Sequence, residues 1–172
     1  VITINISHCI FPNNKAFGGG GAVYIRNNRK YILIQNTTFE QNIARQGGAL
    51  FMEECKKILN VYMYFFQNSA TKFLPRVKQQ GRKNYAAFVG GSLTLKNIVH
   101  VQIANCQFFK SKATTRGGAV YVSDVDNFFN VRSIFDENLS LDGGALYILN
   151  SKRVINTNAL FLKNVAKIKR SS

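Results

Sequence analysis

Cys106-Gln107-Phe108-Phe109-Lys110-Ser111-Lys112-Ala113-Thr114-Thr115-Arg116-Gly117-Gly118-Ala119-Val120-Tyr121-Val122 decides the fold, because the chain repeats it. Its first Phe recurs as Phe11, Phe39, Phe65, Phe108, Phe135 and Phe161, at steps of 28, 26, 43, 27 and 26 residues. The glycine pair recurs as Gly20-Gly21, Gly47-Gly48, Gly90-Gly91, Gly117-Gly118 and Gly143-Gly144. Both series carry the same long step, so one repeat holds an insertion of roughly 17 residues. Three residues after each Phe stand Asn14, Asn42, Asn68, Ser111, Asn138 and Asn164. Five after it stand Ala16, Ala44, Ala70, Ala113, Ser140 and Ala166. Ala22, Ala49, Ser92, Ala119 and Ala145 follow the glycines.

A helical unit of this length needs an amphipathic run of about 10 residues or more at period 3.6. The runs here are short, β-branched and aromatic: Tyr31 to Ile34, Ile98 to Ile103, Ala119 to Val122, Ala145 to Leu149. Asn, Gly, Asp and Lys punctuate them, which is strand-and-turn chemistry. Val99-His100-Val101-Gln102-Ile103 alternates with period 2, so His100 is expected to face outward from a half-buried strand. Two or three strands per repeat leave no room for a crossover helix. Each unit therefore reads as one rung of a parallel β-helix, an all-β solenoid of about five to six rungs with one inserted loop.

Stacked rungs bring equivalent residues about 4.8 Å apart, the spacing of paired strands. The six Phe side chains then form an interior aromatic ladder. The Asn side chains form an amide ladder that satisfies polar groups at an inward turn. The Gly-Gly column marks a sharp bend where a Cβ would clash or where φ must be positive.

The pattern Cys/Thr/Ser-x-Phe-x-x-Asn-x-Ala, then Gly-Gly-Ala-Val/Leu-Tyr-Ile/Val, resembles the repeats of the chlamydial polymorphic outer membrane proteins. It is also similar to the large repeat proteins of ciliates that share those units. The resemblance covers nearly the whole chain except residues 71–88, and implies a right-handed parallel β-helix. Ser111 for Asn, Ser140 for Ala and Ser92 for Ala depart from the pattern. The resemblance implies a structural or adhesin-like place at the cell surface or outside the cell; an organellar assembly is the alternative compartment.

The 172 residues suffice for one domain. Solenoids end in polar caps, and this chain starts and stops in mid-unit. A segment of a longer solenoid is expected, with further rungs or other chains against both open ends. Lys plus Arg number 23 against 8 acids. Residues 55–123 hold no acid and eleven bases: Lys56, Lys57, Lys72, Arg76, Lys78, Arg82, Lys83, Lys96, Lys110, Lys112 and Arg116. Such a field suits an anionic partner, whether acidic protein, glycan or nucleic acid; a solvated surface in a Lys- and Asn-rich chain has the same composition. Within the insertion, Lys72, Arg76, Lys78, Arg82, Lys83 and Tyr85 are the candidate contacts, because inserted loops often form the binding face of a repeat protein. Residues 167–172 read as a basic tail or linker.

Cys9 and Cys106 share a column but lie three rungs apart, roughly 14 Å, too far for a disulfide. Cys55 has no partner in its column, and free thiols are expected. Asn5, Asn36 and Asn138 head glycosylation triplets, and Asn138 sits in the inner ladder. No apolar window is long enough to span a membrane.

Catalytic β-helices gather Asp or Glu on one strand face. The nearest approach here is Asp124 with Asp126, which reads more simply as a solvated turn. His8 and His100 stand at no zinc spacing with the cysteines. No cofactor, metal or catalytic residue is expected. The leading reading is a non-catalytic structural or interaction module of a large surface repeat protein. One rival is a basic subunit touching RNA or acidic proteins; the other is a polysaccharide-binding or -cleaving β-helix.

Overall fold

The computed structural model describes residues 3–71 and 88–167. Among them every regular element is a strand, and every pairing is parallel. The strands stack into sheets of nine, six and five. The chain is a β-solenoid of the kind its repeats imply.

Each rung has four straight segments. A glycine strand follows the Gly-Gly pair: Val23–Arg26, Leu50–Glu53 and Leu146–Leu149 are three of them. A long strand follows, as in Tyr31–Gln35, Lys57–Val61 and Arg153–Thr157. In the two middle rungs these segments fuse into Leu93–Ala104 and Val120–Val131. Next comes the phenylalanine strand, such as Gln107–Phe109, and last a two-residue asparagine strand, such as Lys112–Ala113. Registers join repeat to repeat: Phe11 pairs with Phe39, Phe65 with Phe108, and Phe135 with Phe161.

Parallel register converts each sequence column into an interior contact. The six Phe rings stack with centroids 5.0, 5.1, 4.7, 4.8 and 4.7 Å apart and nearly coplanar faces. That spacing is the inter-strand distance itself. Phe39, Phe65, Phe108 and Phe135 are fully buried, among Ile32, Ile58, Leu93 and Val101. One turn further on, Asn42 Oδ1 accepts from both the backbone N and Nδ2 of Asn14, each at 2.9 Å. Its Nδ2 donates to Asn68 Oδ1 and to the Phe11 carbonyl. Asn68, Asn138 and Asn164 each donate Nδ2 to the carbonyl of the preceding repeat's Phe. The buried amides of this ladder are thus satisfied by one another and by backbone.

Two departures from the repeat form one adjustment. Ser111 is too short to carry the amide ladder. Ser92, standing where other rungs have Ala, places its hydroxyl 2.6 Å from that of Ser111 and accepts from Asn68 Nδ2 at 3.3 Å. Two hydroxyls span the gap left by one missing Asn.

The glycines of a pair have different reasons. Gly117 has φ +62°, a region costly for residues with a Cβ. A Cβ on Gly118 would run into the Gly144 carbonyl and come within 2.7 Å of Leu139 N. Three other corners per rung also use positive φ, often through Asn: Asn36, Asn97 and Asn105 are examples. Tyr62 (φ 52°) and Arg132 (φ 51°) occupy the same region without that tolerance.

All three cysteines are free. Cys9 and Cys106 donate to the carbonyl two residues back, at 3.2 and 3.3 Å, as Thr37 and Ser133 do in the same column. Cys55 does so at another corner, and Ser151 holds the equivalent place. Cys55 therefore does have a column, hidden in the sequence because serine replaces the thiol. Burial pushes the Cys106 thiol up to about 12 and raises that of Cys55, so these two sulfurs act as weak donors at corners rather than as nucleophiles.

One interior column is mixed: Ile34, Asn60, Ile103, Asn130 and Asn156. Asn130 donates to Asn156 Oδ1 at 2.6 Å. Asn60 lies between two isoleucines, fully buried, with neither Oδ1 nor Nδ2 partnered. Replacing Asn60→Leu puts an aliphatic side chain between Ile34 and Ile103 and removes a desolvated amide, so it is expected to raise unfolding free energy by about 1–3 kcal/mol. Urea denaturation followed by circular dichroism checks this.

Candidate functional site

Lys72, Arg76, Lys78, Arg82, Lys83 and Tyr85 lie outside the described residues. The insertion's flanks are placed: Thr71 N donates to the Ala44 carbonyl, and the Phe88 carbonyl accepts from Thr115. The loop thus leaves the asparagine strand of one rung and rejoins before the glycine strand of the next. Lys167 is described and exposed; residues 168–172 are not described.

The acid-free stretch 55–123 does not make an acid-free surface. Rung stacking brings acids from elsewhere in the chain against its bases. Lys110 meets Glu137 at 3.7 Å and Arg116 meets Asp142 at 3.5 Å. Lys96 folds over the rings of Phe51 and Tyr121 and bonds Gln46; burial holds its ammonium below the usual lysine range. Lys56 and Lys57 remain exposed at the start of one long strand, and Lys112 on an asparagine strand.

The acids pair across rungs in the same way. Arg26 contacts both Glu53 and Glu54. Asp126 meets Lys152 at 2.7 Å, and Asp124 accepts from Asn150. The two aspartates thus hold neighbouring-rung partners rather than a shared ligand position. Among the described residues no cluster of His, Cys, Asp and Glu could hold a metal ion. Val99 and His100 both point outward, a correction to strict alternation: Ile98 and Val101 are buried, and Asn97 (φ 51°) turns the strand between its halves. His100 lies 5.2 Å from the Phe129 ring. A shallow open cleft at this turn is lined by Arg29, Glu54, Cys55, Lys56, Asn97 and Val99.

The surface that sequence reasoning missed is the outer side of the long and phenylalanine strands. In the rung of Lys57–Val61 and Tyr64–Phe66, every outward position after Lys57 is apolar or aromatic: Leu59, Val61, Tyr62, Tyr64 and Phe66. Tyr62 is 61% exposed at the corner. Tyr64 stacks on Phe66 and tilts against Phe109. Two rungs on, Phe129, Val131 and Ile134 are again apolar, but the rung between presents Gln102, Asn105 and Gln107, so the patch is confined to one rung. The signal was present: Leu59 to Phe66 is apolar in both phases of the strand period except at Asn60. A strand apolar on both phases is covered on both faces in most proteins.

Residues 36–53 match the Chlamydia polymorphic membrane protein repeat. The matched segment runs from the Asn36 corner through the Phe39 and Asn42 ladders to Gly47-Gly48 and the strand after it. The repeat's half-rung is therefore a physical unit: one aromatic rung, one amide rung and one glycine bend. The same columns carry the stacking in the rungs on either side. No curated protein and no solved structure matches the chain. No helix of the described residues is long and apolar enough to cross a membrane.

Proposed function

We propose that this chain is a non-catalytic structural and interaction module of a large surface repeat protein. The observation that carries the reading is the polymorphic membrane protein repeat at 36–53 within a solenoid whose Phe, Asn and Gly-Gly columns serve stacking. A stack of rungs makes a rigid rod with long flat faces, and partners meet those faces or the rung edges. At the carboxyl edge the Asn164 side chain already serves the preceding rung, while Phe161 is 43% exposed. Another Phe-x-x-Asn rung, from further chain or a partner solenoid, fits against it.

The carboxylates support the absence of hydrolytic chemistry, since Asp124 and Asp126 each face a partner from the next rung. The basic-subunit reading draws less support from the described bases of 55–123, because Lys110 and Arg116 are ion-paired and Lys96 and Lys57 lie over rings.

Surface labelling tests the proposal. Impermeant biotinylation of intact cells is expected to label the full-length protein before lysis, and its association with neighbours is expected to persist in high-salt washes. Labelling only after lysis, with recovery on nucleic acid that salt removes, would overturn it. Cleavage of an acidic polysaccharide lost in Asp124→Asn or Asp126→Asn would do the same.

A further inference from the structure

We infer that the outer corner around Tyr62 is a docking surface for an acidic protein segment that also carries apolar side chains. This rests on the interaction-module reading and assigns it a face.

The first observation is apolar. Exposed contiguous apolar surface on a soluble domain marks an interaction site. Here Leu59, Val61, Tyr62 and Tyr64 turn a corner between two sheets without a polar outward residue. The equivalent outward positions of the first rung are Asn5, Ser7, His8 and Ile10, so the fold itself does not require apolar side chains at the first three. Tyr62 is also held at φ 52°; the same corner is Asn36, Asn105 and Asn158 in three other rungs, His8 in the first and Arg132 in the fifth. An aromatic ring is kept at a backbone position that disfavours it, and nothing inside the rung uses the ring.

The second observation is charge. From the Tyr31 column to the Tyr64 column, the outward positions of the described residues carry no carboxylate; Glu40 and Asp136 stand one column further on, beside Phe66 and Phe109. They carry Lys57, Arg132 and Arg153, with His8 and His100. Lys57 lies over the Tyr31 ring at 5.5 Å, and Arg153 over Phe129 at 5.5 Å. None of Lys57, Arg132 and Arg153 forms an ion pair among the described residues.

These two features select the occupant. A second copy meeting this face by two-fold symmetry would bring Lys57 and Arg132 against the same charges. A bilayer needs side chains that reach into the acyl layer; apart from Tyr62 and Tyr64, the apolar groups here lie half-buried in a flat sheet. An extended segment with Asp or Glu beside aliphatic residues matches both the flatness and the sign.

The test places a photo-crosslinking residue in the full-length protein in its own cell, by Tyr62→p-benzoylphenylalanine. A parallel protein carries the probe at Lys112, exposed on the asparagine strand. The expected result is a discrete adduct from position 62 whose crosslinked peptide contains Asp or Glu next to apolar residues. Its yield is expected to fall about tenfold when Lys57→Glu and Arg132→Glu are added. Adducts at 62 with lipid, glycan or another copy of this chain would overturn the assignment, as would a yield indifferent to charge reversal. Protein adducts at 112 with none at 62 would remove this face and leave the module reading standing. Silence at both positions would count against both.

Discussion

Gly118→Ala is expected to leave the chain unfolded or aggregated. The added Cβ points at backbone: the carbonyl oxygen of Gly144 in the next rung and the Leu139 amide nitrogen at 2.7 Å. Neither belongs to a flexible side chain that can swing aside. Relief requires separating two stacked rungs at their tightest bend, where Gly118 N also donates to the Gly143 carbonyl at 3.1 Å. The cost is on the order of 4 kcal/mol or more, the range reached when a core is overpacked and backbone bonds are lost together. Domain stabilities of about 5–15 kcal/mol leave little after such a loss. Soluble yield and far-UV circular dichroism report it. Gly18→Ala is the control, because nothing lies within 4 Å of a Cβ there.

Phe108→Ala is expected to destabilise by about 3–5 kcal/mol, the usual cost of emptying a large buried aromatic site. Phe108 is fully buried and stacks on two rings, Phe65 at 4.7 Å and Phe135 at 4.8 Å. Both lose a face, and the solenoid cannot close over the gap because rung spacing is set by backbone hydrogen bonds. Phe161→Ala removes the same side chain from the end of the ladder. With one stacked neighbour and 43% exposure, it is expected to cost roughly 1–2 kcal/mol. Urea midpoints of the two variants give the comparison. Equal losses would mean that the ladder is not the continuous interior described.

Much of this was legible because a solenoid repeats its physics at a fixed interval. Phe, Asn, Ala and Gly-Gly each solve one local problem per rung, so spacing alone exposed them. Four things were not legible. The second glycine is required by approach across the interior, whereas sequence distinguishes no roles within the pair. Cys55 looked solitary because its corner is served by a thiol in one rung and a hydroxyl, Ser151, in another. The charge of 55–123 looked continuous because the chain was read as a line; stacking supplies Glu137 and Asp142 from outside that stretch. The outward apolar patch was obscured for a related reason. Tyr62, Tyr64 and Phe66 alternate with Met63 and Phe65, and only the rung separates the inward ladder from the outward face.

Every statement about faces and columns depends on in-register parallel stacking of the repeats, and a pair of engineered disulfides tests it most directly. Gln41 and Gln67 occupy equivalent corners of adjacent rungs, with their side chains hydrogen-bonded at 3.1 Å. Neighbouring strands lie about 4.8 Å apart, within the range a disulfide spans. Gln41→Cys with Gln67→Cys is expected to oxidise to an intramolecular disulfide in the folded protein, read by mass spectrometry. Gln41→Cys with Lys110→Cys, two rungs apart, is expected to stay reduced. A disulfide in the second pair and none in the first would contradict the stacking, and with it the placement of every face described for this chain.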